Sequence, residues 1–225
     1  MAVAAVYALA AGFLAALWIV TYATDRDFSY VSRDPSALAD EKLFFGMLSQ
    51  AGGLCWAMAA GIALFAAAQL AIALGADRRA GFLAFVGAIT AMLGVDDVFL
   101  VHENVFPDLT GLPEHSLFVV YVIVMGVGLL VFRDRVLADR SPFLPAALAL
   151  FATSIVADVL LEGDDPSSVH FLIEDGAKFL AIVSWLLFVV HLGTRSVQAL
   201  RSPEAAVADG TGARRSPDGD PIDVG

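Results

Sequence analysis

Apolar residues fall into long unbroken runs divided by short polar punctuation, and this pattern dominates the chain. The runs extend from Val3 to Tyr22, Leu43 to Leu74, Gly81 to Glu103, Ser116 to Phe132, Phe143 to Leu161 and Phe171 to Leu192. Each approaches or exceeds the roughly 20 residues needed to cross about 30 Å of hydrocarbon. The second is longer than required, so it is expected to tilt or to extend past the bilayer. The expected fold class is all-α, a six-transmembrane-helix bundle over residues 1–194. The first run begins close to Met1, but it lacks a basic leader and is longer than a signal-peptide core, so it reads as a helix.

Beyond Thr194 the pattern breaks. Residues 195–225, ending "ADGTGARRSPDGDPIDVG", are rich in Pro, Gly, Ala, Ser, Asp and Arg. Their apolar surface is too small to offset chain entropy, so a disordered tail is expected.

Composition agrees with the runs. Hydrophobic residues make up 59% of the 225 and charged residues only 16%, against about 25% in soluble domains; mean hydropathy is +0.77. The partner of most of this surface is the lipid bilayer. Net charge is −11, and no basic stripe exists for nucleic acid. A single cysteine, Cys55, excludes an intramolecular disulfide and a cysteine-based zinc site. Arginine outnumbers lysine and alanine is abundant, which suggests a prokaryote with a GC-rich genome.

The distribution of arginine sets an orientation. Arg78 and Arg79 lie between the second and third runs, Arg133, Arg135 and Arg140 between the fourth and fifth, and Arg195, Arg201, Arg214 and Arg215 after the sixth. All fall on one side if six helices alternate. The other side holds Arg26, Arg33 and Lys42 among more numerous acids. Both termini are therefore expected in the cytoplasm and the protein in the plasma membrane.

With that orientation, ionisable residues collect at one depth. Asp96, Asp97, His102 and Glu103 come late in the third run, Asp158 and Glu162 late in the fifth, and Glu174, Asp175 and Lys178 early in the sixth. Ser49 and Gln50 open the second run at a comparable level, Ser154 lies one turn below Asp158, and His170 precedes the sixth run. The inner halves of the runs contain almost no ionisable group, with His191 the nearest exception. On a regular helix Asp96 and Glu103 share a face within about 20°, with Asp97 and His102 on either side. Glu174 and Lys178 have the spacing and order of an ion pair along a helix.

An isolated carboxylate near a helix centre costs roughly 2.5–3.5 kcal/mol on insertion scales, so such groups face inward and are paired. Lys178 alone cannot neutralise the acids, which points to shared protons or a bound cation. Carboxylate oxygen with His102 or His170 suits a divalent metal ion: zinc, manganese, iron or calcium. The expected metal ligands are Asp96, Asp97, His102, Asp158, Glu174 and Asp175. Glu103, Glu162 and Lys178 are the expected catalytic groups, and Ser49, Gln50, Ser154 and His170 further polar lining. The bland counterparts are helix-end acids in the headgroup layer and, for Glu174 and Asp175, complementation of the helix dipole. Trp18, Trp56 and Trp185 read as packing or interfacial residues. Gly53, Ala57 and Gly61 form a small-residue stripe suited to close helix contact.

No metalloprotease, nucleophile-elbow, phosphate-loop or dinucleotide motif is present. The general scheme of Ser, Asp and His near one face of a membrane domain resembles that of the alkaline ceramidase and progestin-receptor-like hydrolases. That resemblance implies seven helices and paired histidines on the last. Glu174 and Lys178 stand where those histidines belong, so the chain is not assigned to that group. Three functions fit the pattern, in this order. The first is a metal-dependent, hydrolase-like enzyme acting on a lipid or amphiphile from the outer leaflet. The second is a cation or proton channel or transporter using the same carboxylates. The third is a non-catalytic subunit or sensor; homo-oligomerisation is open in each.

Overall fold

A computed structural model describes residues 2–32, 39, 46–75, 77–113, 115–161 and 168–200, without the side chains of 2–7, 9, 10, 13, 30, 159–161 and 168–171. All regular structure among them is helical. Glu162 and the tail from 201 onward lie outside the described residues, as does the side chain of His170.

Residues 1–47 form one compact unit and residues 48–225 another. In the first, α1 (Ala2–Ala23) leads to the single turn α2 (Ser29–Ser32). Thr21, buried near the end of α1, and Thr24, exposed just past it, donate their hydroxyls to the carbonyls of Leu17 and Val20 at 3.1 and 2.8 Å. The carboxylate of Asp27 accepts from the Ser29 amide at 2.8 Å and so caps α2.

The second unit follows the apolar runs, with α3 (Met47–Leu74) and α4 (Arg78–Phe99) first. After the π-helical segment Val101–Val105 come α5 (Phe106–Thr110), α6 (His115–Val131), α7 (Arg133–Ala138), α8 (Phe143–Leu161) and α9 (Ser168–Leu200). Polar residues set the breaks. Gly75 takes a left-handed φ of 72° after α3, and Asp77 then caps α4 by accepting from the Arg79 amide at 2.6 Å. Arg78 forks onto Asp134 at 3.1 and 3.2 Å, bonds the Val131 carbonyl and lies over the Phe132 ring. The start of α4 is thereby clamped to the junction of α6 and α7.

Three described helices, Met47–Leu74, Arg78–Phe99 and Leu172–Leu200, are long and apolar enough to cross a membrane. A fourth is added if the bent pair Val101–Thr110 and His115–Val131 forms one span. This is an all-helical membrane protein with three to four candidate spans.

The core is aromatic at its centre and alanine-rich beside it. Trp56, Phe82, Val86, Trp185 and Phe188 are buried together, and Ala66, Ala67, Ala80 and Leu83 close around Leu70. The buried stripe of α3 runs through Gly52, Trp56, Ala59, Ala60, Ala63, Ala66 and Ala67. Of the expected stripe of Gly53, Ala57 and Gly61, Gly53 does approach α4 closely, a Cβ there meeting Val98 at 3.0 Å, while Ala57 is exposed and Gly61 has open space where a Cβ would stand. Small residues admit the bulky ones here, since a Cβ on Gly94 would come within 2.9 Å of Trp56 Cβ. One polar link crosses the core, with Trp185 Nε1 donating to Thr90 Oγ1 at 2.9 Å.

Candidate functional site

The polar end of α4 carries the first half of the site. Asp96 and Asp97 are both buried although adjacent, and they face different partners. Immediately after α4 ends at Phe99, Leu100 adopts a left-handed backbone (φ 50°, ψ 45°), a conformation that costs an L-residue about 1–2 kcal/mol. The wider π turn that follows carries His102 and Glu103, and π segments of this kind recur at functional sites.

The consequence is a clasp. The His102 amide donates to Asp96 Oδ1 at 2.8 Å, and His102 Nδ1 lies 2.6 Å from Asp96 Oδ2. A carboxylate only accepts, so Nδ1 carries the hydrogen and Nε2 is free to accept a proton when the ring is neutral. Nε2 stands 3.4 Å from Glu103 Oε1. Phe118 packs on the imidazole, ring centroids 4.7 Å apart, and the Tyr121 hydroxyl faces the Asp96 carboxylate. The regular-helix phasing expected across 96–103 therefore fails, because the chain changes helix type at Leu100 and swings His102 back onto Asp96.

The other half comes from α8 and α9. Lys178 Nζ meets Asp97 Oδ1 at 2.5 Å. Lys178 thus bonds across to α4 in place of the along-helix pair with Glu174 that the spacing predicts. The ammonium end lies close to a carboxylate that would otherwise be stranded in apolar surroundings.

These groups open onto one cavity of about 690 Å³, within the 300–1,000 Å³ range of ligand pockets. Along each helix its lining grades from apolar to polar. On α4 it passes from Leu93 to Asp96 and Asp97, on α6 from Leu129 through Met125 to Tyr121, on α8 from Leu148 through Phe151 to Asp158, and on α9 from Trp185 to Lys178 and Glu174. All polar ends meet, so the cavity is itself amphipathic. At its apolar end Trp56 stacks on Phe151 with centroids 5.8 Å apart, and the buried Trp56 indole nitrogen has no hydrogen-bond partner among the described residues.

Asp96, Asp97, His102, Glu103, Ser154, Asp158, Glu174 and Lys178 thus line a single space. Asp175 is near Lys178 without lining the cavity, and Ser49 and Gln50 are exposed at the start of α3 and outside the lining. Tyr121, Phe118, Phe151 and Trp56 were not expected there. In sequence they sit in plain apolar runs, and only a graded polar-to-apolar spacing on facing helices would have marked them. Among the described residues no group of three or more His, Cys, Asp or Glu side chains is placed to hold a metal ion.

At the opposite ends of these helices, Asp139 accepts from Ser141 Oγ at 2.7 Å and lies 3.4 Å from His191 Nε2. The aromatic core stands between the two polar layers.

Fold and site together describe a helical membrane protein with an amphipathic cavity and a buried Asp96–His102 pair at its polar end. The chain belongs to the family described as Domain of unknown function (DUF8692), whose model matches residues 1–192. No curated protein and no solved structure matched it.

Proposed function

We propose that the protein is a membrane-embedded hydrolase that draws an amphiphile into the cavity and cleaves an acyl ester or amide in its head. The observation that carries this reading is the division of one cavity into an apolar end and an end holding the Asp96–His102 clasp. In the six-span topology with cytoplasmic termini and a plasma-membrane setting, the acidic end opens into the outer leaflet, where amphiphiles are available.

The chemistry is that of a general base. Asp96 fixes the Nδ1–H tautomer of His102, and Nε2 takes a proton from water as the oxygen attacks the acyl carbon. The imidazolium so formed lies between Asp96 and Glu103, which stabilise it, and it returns the proton to the departing oxygen or nitrogen. Lys178, held by Asp97, supplies positive charge for the oxyanion. No step requires a metal; a zinc, manganese, iron or calcium ion would need donors beyond those gathered among the described residues.

The test is turnover of fluorogenic acyl esters of increasing chain length by protein in nanodiscs. Expected is a rate that rises with chain length and falls at least about 100-fold in His102→Gln. No turnover on any ester, combined with ion flux into liposomes that disappears in Asp97→Asn, would favour the transporter. Neither activity in a folded protein would favour the non-catalytic subunit.

A further inference from the structure

Charge at the polar end of the cavity is unbalanced. Among the described residues, Asp96, Asp97, Glu103, Asp158 and Glu174 line it with two bases, His102 and Lys178. The two bases are committed, His102 to Asp96 and Glu103, and Lys178 to Asp97. Asp158 has no hydrogen bond or ion pair among the described residues. Asp158 is half-buried and shares this end with four other acids, and like charges crowded together favour a cation in the space beside them.

One helical turn below, on the same face of α8, stands Ser154. It is only 8% exposed and lines the cavity, yet its hydroxyl has no partner among the described residues. A metal ion is poorly served by one carboxylate and one hydroxyl. A primary ammonium, with three N–H donors, suits them. The same face continues through Ile155, Phe151 and Leu148, so from Asp158 to Leu148 the wall runs about 15 Å from acidic to apolar.

We infer that the amphiphile bound in this cavity carries a primary amine in its head, received by Asp158 and Ser154, with its alkyl chain along Ile155, Phe151 and Leu148. This rests on the amphiphile reading and adds the charge and donor character of the head. A quaternary ammonium would satisfy the charge but offer neither oxygen a hydrogen.

Binding of dodecylamine, dodecyltrimethylammonium, dodecanol and dodecyl sulfate to the full chain in nanodiscs decides it. Wild type, Asp158→Asn and Ser154→Ala are compared in identical discs so that partition into lipid cancels. Dodecylamine is expected to bind about 10–100-fold more tightly than dodecanol, the worth of a charge-assisted hydrogen bond, with the trimethylammonium analogue between them. Asp158→Asn should erase the preference while dodecanol still binds, and Ser154→Ala should reduce it about 2–10-fold. Should Asp158→Asn fail to bind even dodecanol, its fold is lost and Ser154→Ala decides alone. Equal binding of amine and alcohol, or a preference indifferent to both variants, overturns the inference and leaves the amphiphile cavity standing. Binding of none of the four overturns both.

Discussion

Asp96 holds His102 at two points, accepting the His102 backbone amide on Oδ1 at 2.8 Å and pairing with the imidazole Nδ1 through Oδ2 at 2.6 Å. One carboxylate thereby sets both the path of the chain after α4 and the tautomer of the ring. The two tasks separate by substitution. Asp96→Asn keeps an acceptor for the amide but presents an amide group that fits the imidazole poorly, so turnover should fall about 10²–10⁴-fold with little loss of melting temperature. Asp96→Ala should lose activity equally and also cost about 1–3 kcal/mol, because a buried N–H loses its partner. Initial rates and thermal melts on the two variants check this.

The Lys178–Asp97 pair is a coupling between α9 and α4. Lys178→Met leaves Asp97 buried without a cation and is expected to cost about 3 kcal/mol, less to the extent that cavity water reaches the carboxylate. Adding Asp97→Asn should recover part of that loss. A double-mutant cycle on melting free energy should give a coupling of about 0.5–3 kcal/mol, and additive losses would show that the two groups do not interact.

Packing of α4 on α3 depends on Gly94. A methyl group there meets Trp56 Cβ at 2.9 Å, so Gly94→Ala should destabilise by about 1–3 kcal/mol. Gly61→Ala, which meets nothing within 4 Å, should change stability by no more than about 0.5 kcal/mol. Melting both variants in the same detergent tests the pair directly.

Thr90 serves as the partner of a buried tryptophan. Thr90→Val keeps the shape and removes the acceptor for Trp185 Nε1, at an expected cost of about 1–3 kcal/mol. In a Trp185→Phe background the same change should cost much less, since no donor is left stranded. Equal losses in both backgrounds would assign the effect to packing.

Asp77, before the start of α4, links stability to pH. Burial pushes its carboxyl up, but hydrogen bonds from Arg79 and the Arg79 charge outweigh that and hold it below its ordinary 3.8. A depressed carboxyl contributes stability that is fully present above the unfolded value and lost as pH falls through the folded one. The contribution of Asp77 should therefore be constant above about pH 4 and fade below it. Asp77→Ala should cost about 0.5–2 kcal/mol at pH 7, and the gap to wild type should narrow in melts below pH 3.8.

Much of the helical layout is visible in the chain before folding. The expected limits of the fifth run, Phe143 to Leu161, coincide with α8, because Pro142 precedes and charged residues follow a mostly apolar stretch. The third run reads on to Glu103 although α4 ends at Phe99: nothing local at Leu100 marks a left-handed residue, and the Asp96–His102 bonds that accompany it form only in the folded chain. The last helix, α9, also outruns its apolar run, since Gly193 and Thr194 read as a boundary yet the helix continues to Leu200. Gly193 stands close to Ile62 and Ala66 on α3, a contact no local propensity reports.

What the sequence by itself determined is the membrane-embedding apolar character and the helical class, because hydropathy and helix propensity act residue by residue. Tertiary structure alone decided that Asp96 belongs to His102 and Asp97 to Lys178, and that Tyr121, Phe118 and Phe151 wall the space beside them. Those assignments depend on how helices far apart in sequence rotate against each other, and a rotation of a few tens of degrees exchanges one neighbour for the next.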